Sequence, residues 1–335
     1  KLGVIIVDEE HEQSYASDQH PRYDAREVAR RRCQQEGAVL LLASATPSIS
    51  DFTRALRGDF TLLEMPTRVL SRPLPQVELV DMRDELARGN RGIFSGALVH
   101  ALEDCLHAGH QAMLLINRRG YSTFVSCRAC GYVVRCTQCD VSMTYHLDGT
   151  RMRCHYCDAE AEPPQICPSC GSRSIRYFGA GTQKVEEEIH KRFPDVSVLR
   201  MDNDTTRGKD AHATLLQKFR AGDARILIGT QMIAKGLDFP HVTMVGVVAA
   251  DAMLQLPDYR SAERTFQLIT QVAGRAGRAQ WPGRVIVQTY DPSHYSIQTA
   301  AAQDYRAFYE QEFQRRRRSL YPPFTHMVRL LFEGE

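Results

Sequence analysis

Eight of the ten cysteines fall in four C-x-x-C pairs, Cys127/Cys130, Cys136/Cys139, Cys154/Cys157 and Cys167/Cys170. Each pair offers two thiolates from one turn. A structural zinc takes four ligands in a tetrahedron, so the set predicts two closed four-cysteine sites with no position left for water or substrate. Between the second and third pairs lies "DVSMTYHLDGTRMR", alternating in its first half and carrying Asp148-Gly149, a preferred type I′ hairpin turn. Such a hairpin brings those pairs together and predicts nested sites, Cys136, Cys139, Cys154 and Cys157 on one zinc and Cys127, Cys130, Cys167 and Cys170 on the other. On spacing alone, interleaved and sequential pairings stay open. Cys33 and Cys105 sit on predicted helices, as small core residues do.

The metal-binding reading also follows from what the chain lacks. It contains no run of 18 apolar residues and no basic-then-apolar leader, so paired cysteines point to metal in a reducing compartment, the cytoplasm, with no membrane association. Lys1 and Leu2 open in the middle of a predicted strand, and "VRLLFEGE" stops as one begins, so the chain reads as a piece of something longer.

Around the cysteines, short apolar runs such as "LGVIIVD", "AVLLLAS", "QAMLLIN", "ARILIG" and "GRVIVQT" alternate with helical stretches, as in parallel sheets covered on both faces. The expected architecture is α/β: two RecA-like parallel-sheet lobes, the first incomplete, with a two-zinc module inserted in the second. The expected boundaries are 1–92 for the C-terminal part of the first lobe plus a Pro- and Gly-containing linker, 93–126 for the start of the second lobe, and 127–172 for the module. Residues 173–302 complete the second lobe, and 303–335 form a connecting helix and the start of a C-terminal domain. A net charge of +2 is too small to imply nucleic acid, which must rest on local arginines.

In open parallel sheets, ligands bind outside the carboxyl ends of the strands. "VIIVDEEHEQS" puts Asp8, Glu9, Glu10 and His11 at such an end, where an aspartate can hold Mg²⁺ and a neighbouring glutamate can deprotonate the attacking water. A solvated acidic strand end is the plain alternative. "LLLASATPS" places Ser44, Ala45 and Thr46 after a second strand, where Ser/Thr before Pro47 also suits helix capping. D-E-E-H followed by S-A-T resembles motifs II and III of superfamily 2 helicases. "ILIGTQMIAKGLDFP" and "QVAGRAGR" resemble motifs V and VI.

The resemblance implies that Arg275 and Arg278 face the γ-phosphate of ATP, with Arg278 the arginine finger, a device worth about 10³–10⁵ in rate in NTPases. It also implies that Asp8 holds Mg²⁺ and Glu9 is the water-activating base, that Gly236 and Asp238 approach the nucleotide, that Gln271 places phosphate and water, that Glu10 and His11 link towards motifs III and VI, and that Thr230 and Lys235 touch DNA. Ser44 and Thr46 would take part in coupling or DNA contact. Arg118 and Arg119 in "NRRGYS", His146, His155 and the run Arg315 to Arg318 are DNA candidates or ordinary surface residues.

Taken together, "DEEH", "NRRGYS", the C-x-x-C series, "GTQMIAKGLDFP", "LPDYRSAERTFQLITQVAGRAGRA" and "YPPF" resemble the bacterial primosomal replication-restart helicases over nearly the whole chain. That family implies a monomeric 3′ to 5′ DNA helicase that uses Mg-ATP to remodel stalled or abandoned forks. Its partners would be forked and single-stranded DNA, primosome and helicase-loading proteins, and single-stranded DNA-binding protein. The alternative is a zinc-dependent DNA-binding primosome scaffold with a dispensable ATPase. Two departures stand out. No G-x-x-x-x-G-K-[ST] phosphate loop occurs in these residues, so alone they are expected to bind ATP poorly and not to hydrolyse it. In "SYASDQHPRY", Ala16 and Asp18 stand where the family often has a basic residue, leaving Tyr15, Arg22 and Tyr23 to stack or touch phosphate.

Overall fold

The computed structural model describes all residues except 1, 18, 66–73, 117–122, 139–140, 147–150, 179–180, 203–204, 207–210, 235–238, 257, 278–280 and 329–335. The chain forms two compact units, Lys1–Arg68 with Tyr305–Glu335, and Val69–Asp304.

In the first unit, β1 (Val4–Asp8) pairs in parallel with β2 (Val39–Ala43), Val4 opposite Val39 and Asp8 opposite Ala43. Between them runs α1 (Ala25–Glu36), capped by the Asp24 carboxylate and closed by Gly37 at φ 65°. A left-handed residue at a helix end satisfies the last carbonyls, and glycine adopts it without a Cβ penalty. Coverage expected on both faces of these strands is found on one, because Val4, Ile6, Val39 and Leu41 are exposed. After β2 comes α2 (Ile49–Leu56). The helix Tyr305–Arg318, α10 in chain order, packs against α2 rather than leading away as a connector. Phe52 meets Tyr305 and Tyr309 edge to face, and Tyr305 Oη donates to Pro47 O at 2.9 Å. Within the arginine run, Arg316 is buried and donates through Nε to Glu312 Oε1 at 2.7 Å, so this member serves packing and not DNA.

The second unit opens with β3 (Gln76–Asp81) and α3 (Met82–Ala87), where a linker was expected. Then come α4 (Gly96–His107), β4 (Gln111–Leu115), the zinc module, α5 (Thr182–Arg192), β10 (Val198–Met201), α6 (Ala211–Ala221) and β11 (Ile226–Gly229). They are followed by β12 (Val242–Val247), α7 (Asp251–Leu254), α8 (Ser261–Ala273), β13 (Arg284–Thr289) and α9 (Tyr295–Ala301). The sheet is six-stranded and parallel, in the order β10-β11-β4-β12-β13-β3. Its central strands are buried along their whole length, which is why they read as unbroken apolar runs. Alternation still sorts their faces. Ala112, Leu114 and Ile116 pack with Ile226, Ile228 and Met244 against Leu98 and Leu102 of α4 and Val185 and Ile189 of α5.

One buried polar residue in this core organises the entry to α4. Gln288, with no exposed surface, accepts Ser95 N at 2.7 Å through Oε1 and donates through Nε2 to Ile93 O at 2.9 Å and Val248 O at 3.1 Å. Gln288→Leu would strand two buried backbone groups, Ser95 N and Val248 O, and a half-buried one, Ile93 O, and an unmade buried hydrogen bond costs roughly 1–3 kcal/mol. We expect denaturant unfolding to show this unit less stable by about 3–5 kcal/mol; a loss below about 1 kcal/mol would contradict the role.

The module is antiparallel, in the order β8-β7-β6-β5-β9, with β5 (Thr123–Cys127), β6 (Thr144–His146), β7 (Arg151–Arg153), β8 (Glu160–Ala161) and β9 (Ile175–Phe178). It therefore begins and ends a few residues outside the cysteines, because β5 and β9 pair with each other and carry the chain back to the lobe.

Candidate metal centre and nucleotide-site residues

The cysteines stand on four copies of one backbone device. In each, the N–H of the first cysteine donates to a carbonyl five residues on: Cys127 to Tyr132, Cys136 to Val141, Cys154 to Ala159 and Cys167 to Ser172, all at 2.8–2.9 Å. In three described copies the residue four places on returns a bond to the cysteine's carbonyl and has positive φ: Gly131 (78°), Asp158 (59°) and Gly171 (71°). Only glycine and, less readily, Asp or Asn enter that region. The pattern is visible in the sequence as C-x-x-C-G or C-x-x-C-D at every knuckle.

β6 and β7 pair as Thr144 with Arg153 and His146 with Arg151, so the hairpin draws the second and third knuckles together. Cys127, Cys130, Cys167 and Cys170 have sulfurs within 4.8 Å of one another, as do Cys136, Cys154 and Cys157; Cys139 lies outside the described residues. Sulfur separations are 3.7 Å for Cys127–Cys170, 3.6 Å for Cys130–Cys167 and 3.6 Å for Cys136–Cys157. Four thiolates at Zn–S of about 2.3 Å define a tetrahedron with edges of about 3.8 Å, so the donor sets fit zinc. His155 is exposed, and Cys33 and Cys105 are buried elsewhere.

The acidic strand end has a distinctive backbone. Asp8 is exposed at the end of β1, its Oδ1 accepting Glu9 N at 3.0 Å and its carbonyl accepting Tyr15 Oη at 2.7 Å. An exposed carboxylate at a strand end is the hard oxygen donor that Mg²⁺ takes. Glu9 has φ 48°, a left-handed conformation uncommon outside glycine, and its buried Oε2 has no hydrogen-bond partner among the described residues. Such outliers point to function when the surroundings hold them in place. They are held here: Glu12 N bonds Glu9 O at 2.8 Å, and Glu10 N bonds Ala43 O at 3.0 Å. His11 Nδ1 lies 2.6 Å from Ser44 Oγ and 3.7 Å from Glu9 Oε2. Ser44 Oγ also accepts Thr46 N at 3.0 Å, and Thr46 is buried. The cap of α2 is Ser48, not Ser44 or Thr46, so Ser44 is drawn to the histidine and not spent on the helix end. In the loop after these acids, Tyr23 is exposed and Asp18 lies outside the described residues.

Glu10 is different: it is buried, and its Oε1 accepts Ser48 N at 2.6 Å. Burial, with the Asp51 carboxylate adding repulsion, pushes it up to about 8. Because the folded value exceeds the ordinary 4.5, its contribution to stability is full below that pH and is lost as pH rises through about 8. We expect amide protection in β1 and β2 to fall across this interval, and Glu10→Gln to flatten the fall; an unchanged slope would sink the assignment.

In the second unit, α8 delivers Gln271 and Arg275 to its C-terminal end; Arg275 is buried, and its N–H bonds Val272 O at 3.0 Å. Gly277, at φ 68°, crosses Gly283 so closely that a Cβ would lie 2.3 Å from Gly283 N, which fixes the arginine turn. Thr230 follows β11 and is buried. Arg118, Arg119, Lys235, Gly236, Asp238 and Arg278 lie outside the described residues.

Residues 136–161 match the PriA DNA helicase Cys-rich region (CRR) domain, and residues 170–280 match the helicase conserved C-terminal domain. Replication restart protein PriA of Bacillus subtilis is 55% identical over 327 residues, 98% of this chain and 41% of that protein. The chain belongs to the PriA family. Replication restart protein PriA of Synechocystis is 50% identical over 98% of this chain, and that of Chlamydia muridarum 43% identical over all of it. The chain spans 41% and 45% of those two PriA proteins respectively. Among described residues, no helix is long and apolar enough to cross a membrane.

Proposed function

We propose that these residues form part of an ATP-driven 3′ to 5′ DNA helicase that recognises and remodels stalled or abandoned replication forks and promotes primosome assembly for restart. Asp8 would hold the Mg²⁺ of Mg-ATP, which neutralises phosphate charge when bound. Glu9 takes the proton from the attacking water, while His11 and Ser44 fix the loop that aims it. Gln271 and Arg275 bind the phosphates, Arg278 stabilises the charge developing in the transition state, and Gly236 and Asp238 border the nucleotide. Ser44, Thr46, Thr230, Lys235, Arg118 and Arg119 serve DNA contact or coupling. The two zincs hold the Cys-rich module shut. The reading extends to forked and single-stranded DNA, primosome and helicase-loading proteins and single-stranded DNA-binding protein as partners, and to a cytoplasmic monomer.

The observation that carries the proposal is Glu9, held left-handed at the carboxyl end of β1, its buried Oε2 3.7 Å from His11 of the His11–Ser44 pair and without a hydrogen-bond partner among the described residues. A scaffold has no chemical need for that arrangement. ATP hydrolysis by the full-length protein, with and without forked DNA, tests it: DNA-stimulated turnover that depends on Glu9 is expected, and full turnover in Glu9→Gln would refute the assignment. Lacking the Gly-Lys phosphate loop, residues 1–335 by themselves should hydrolyse no ATP.

A further inference from the structure

The zinc module and the second lobe lie in one compact unit, and among the described residues side-chain hydrogen bonds join them at two seats. At the first, Arg128, between Cys127 and Cys130, donates through Nε to Tyr290 Oη at 2.9 Å and through Nη2 to Gly92 O at 3.1 Å. Gly131 lies against the same tyrosine, where a Cβ would come within 2.6 Å of Tyr290 O. At the second, Ser142, just beyond the Cys136/Cys139 knuckle, donates its hydroxyl to the carbonyl of Gln255.

Both seats rest on one short helix. Tyr290 N donates to Asp251 Oδ2 at 2.9 Å, and Thr289 Oγ1 to Asp251 Oδ1 at 2.8 Å. The buried Asp251 opens α7, and Gln255 closes it, with its N–H on Asp251 O at 3.2 Å. Beyond Gln255 the chain is bonded into the start of α8: Ser261 Oγ donates to Leu256 O at 2.7 Å and Asp258 O at 2.6 Å, and Arg264 pairs with Asp258 at 2.9 Å. The same α8 carries Gln271 and leads into the turn that holds Arg275. A four-residue helix has no stability of its own, so its position follows whatever grips its two ends.

We propose that Arg128, Tyr290 and Ser142 are positioning residues that couple the zinc module, through α7, to the helix bearing Gln271 and to the arginine turn that follows it. The inference rests on the motor reading above and adds to it a route by which load on the module reaches the arginine turn. A coupling path requires an element that both ends bias, and α7 is that element.

The test uses full-length protein, the double variant Tyr290→Phe/Ser142→Ala, and Arg128→Met as a second route to the first seat. None removes a cysteine. Zinc content should stay at wild type, amide exchange at residues 255–264 should quicken, and ATP consumed per base pair unwound on a forked duplex should rise on the order of tenfold. Unchanged exchange at 255–264, loss of zinc from the double variant, or hydrolysis and unwinding falling in proportion would each overturn the proposal. If wild-type protein hydrolyses no ATP, the motor reading fails, and the exchange measurement still decides whether the module governs α7 and α8.

Discussion

Glu9→Gln in the full-length protein is expected to lower DNA-stimulated ATP turnover by about 10²–10⁴-fold, the usual worth of a positioned general base. The amide keeps the shape and polarity of the carboxyl group but cannot accept the proton, so the loss should fall on kcat while KM for ATP stays within about twofold. The neighbouring acid provides the contrast. Glu10 is 2% exposed and bonded to Ser48 N at the start of α2, so Glu10→Gln should act through the pH dependence of stability. Steady-state kinetics on the two variants separate the roles: comparable kcat losses in both would show that the strand end, and not one carboxylate, had been damaged. A large rise in KM with kcat intact would assign Glu9 to binding rather than to proton transfer.

That contrast also marks what could be read before coordinates. By residue type alone "DEEH" shows three acids in a row, and only the resemblance to motif II sets Glu9 apart from Glu10; the left-handed φ of Glu9 and the burial of Glu10 add a physical difference between the two. The central strands were legible because burial on both faces writes an unbroken apolar run. β3 was not, because an edge strand is half buried, and "LPQVELVD" after Pro73 reads as linker. α10 was legible as a helix but not as a partner of α2, since its Phe52, Tyr305 and Tyr309 contacts join residues more than 250 positions apart. The cysteine knuckles were open to reading, since metal chemistry fixes both residue type and spacing. The seats of the module were closed to it: Ser142 and Arg128 bond largely to backbone carbonyls, which leave no signature in the partner sequence.

Stripping the metal should unfold the module and leave the lobe folded. Its strands are two to five residues long, too short for independent stability. Four of the ten buried residues in its core are the cysteines Cys127, Cys136, Cys154 and Cys167. With so little apolar area, the metal bonds supply the folding energy, as in other small zinc domains. The parallel sheet has its own core of aliphatic residues and no cysteine from the module. We therefore expect two zincs per chain, and collapse of amide protection across residues 123–178 on chelation with β4, β11 and β12 still protected. Single substitutions sharpen the expectation: Cys167→Ser should lose one zinc, Cys154→Ser the other, and Cys139→Ser the same zinc as Cys154→Ser. One zinc or none in the wild type would contradict the paired sites, and persistence of protection after chelation would show that the module holds itself together without metal. If Cys139→Ser instead released the zinc of Cys167, the nesting of the four knuckles would be wrong.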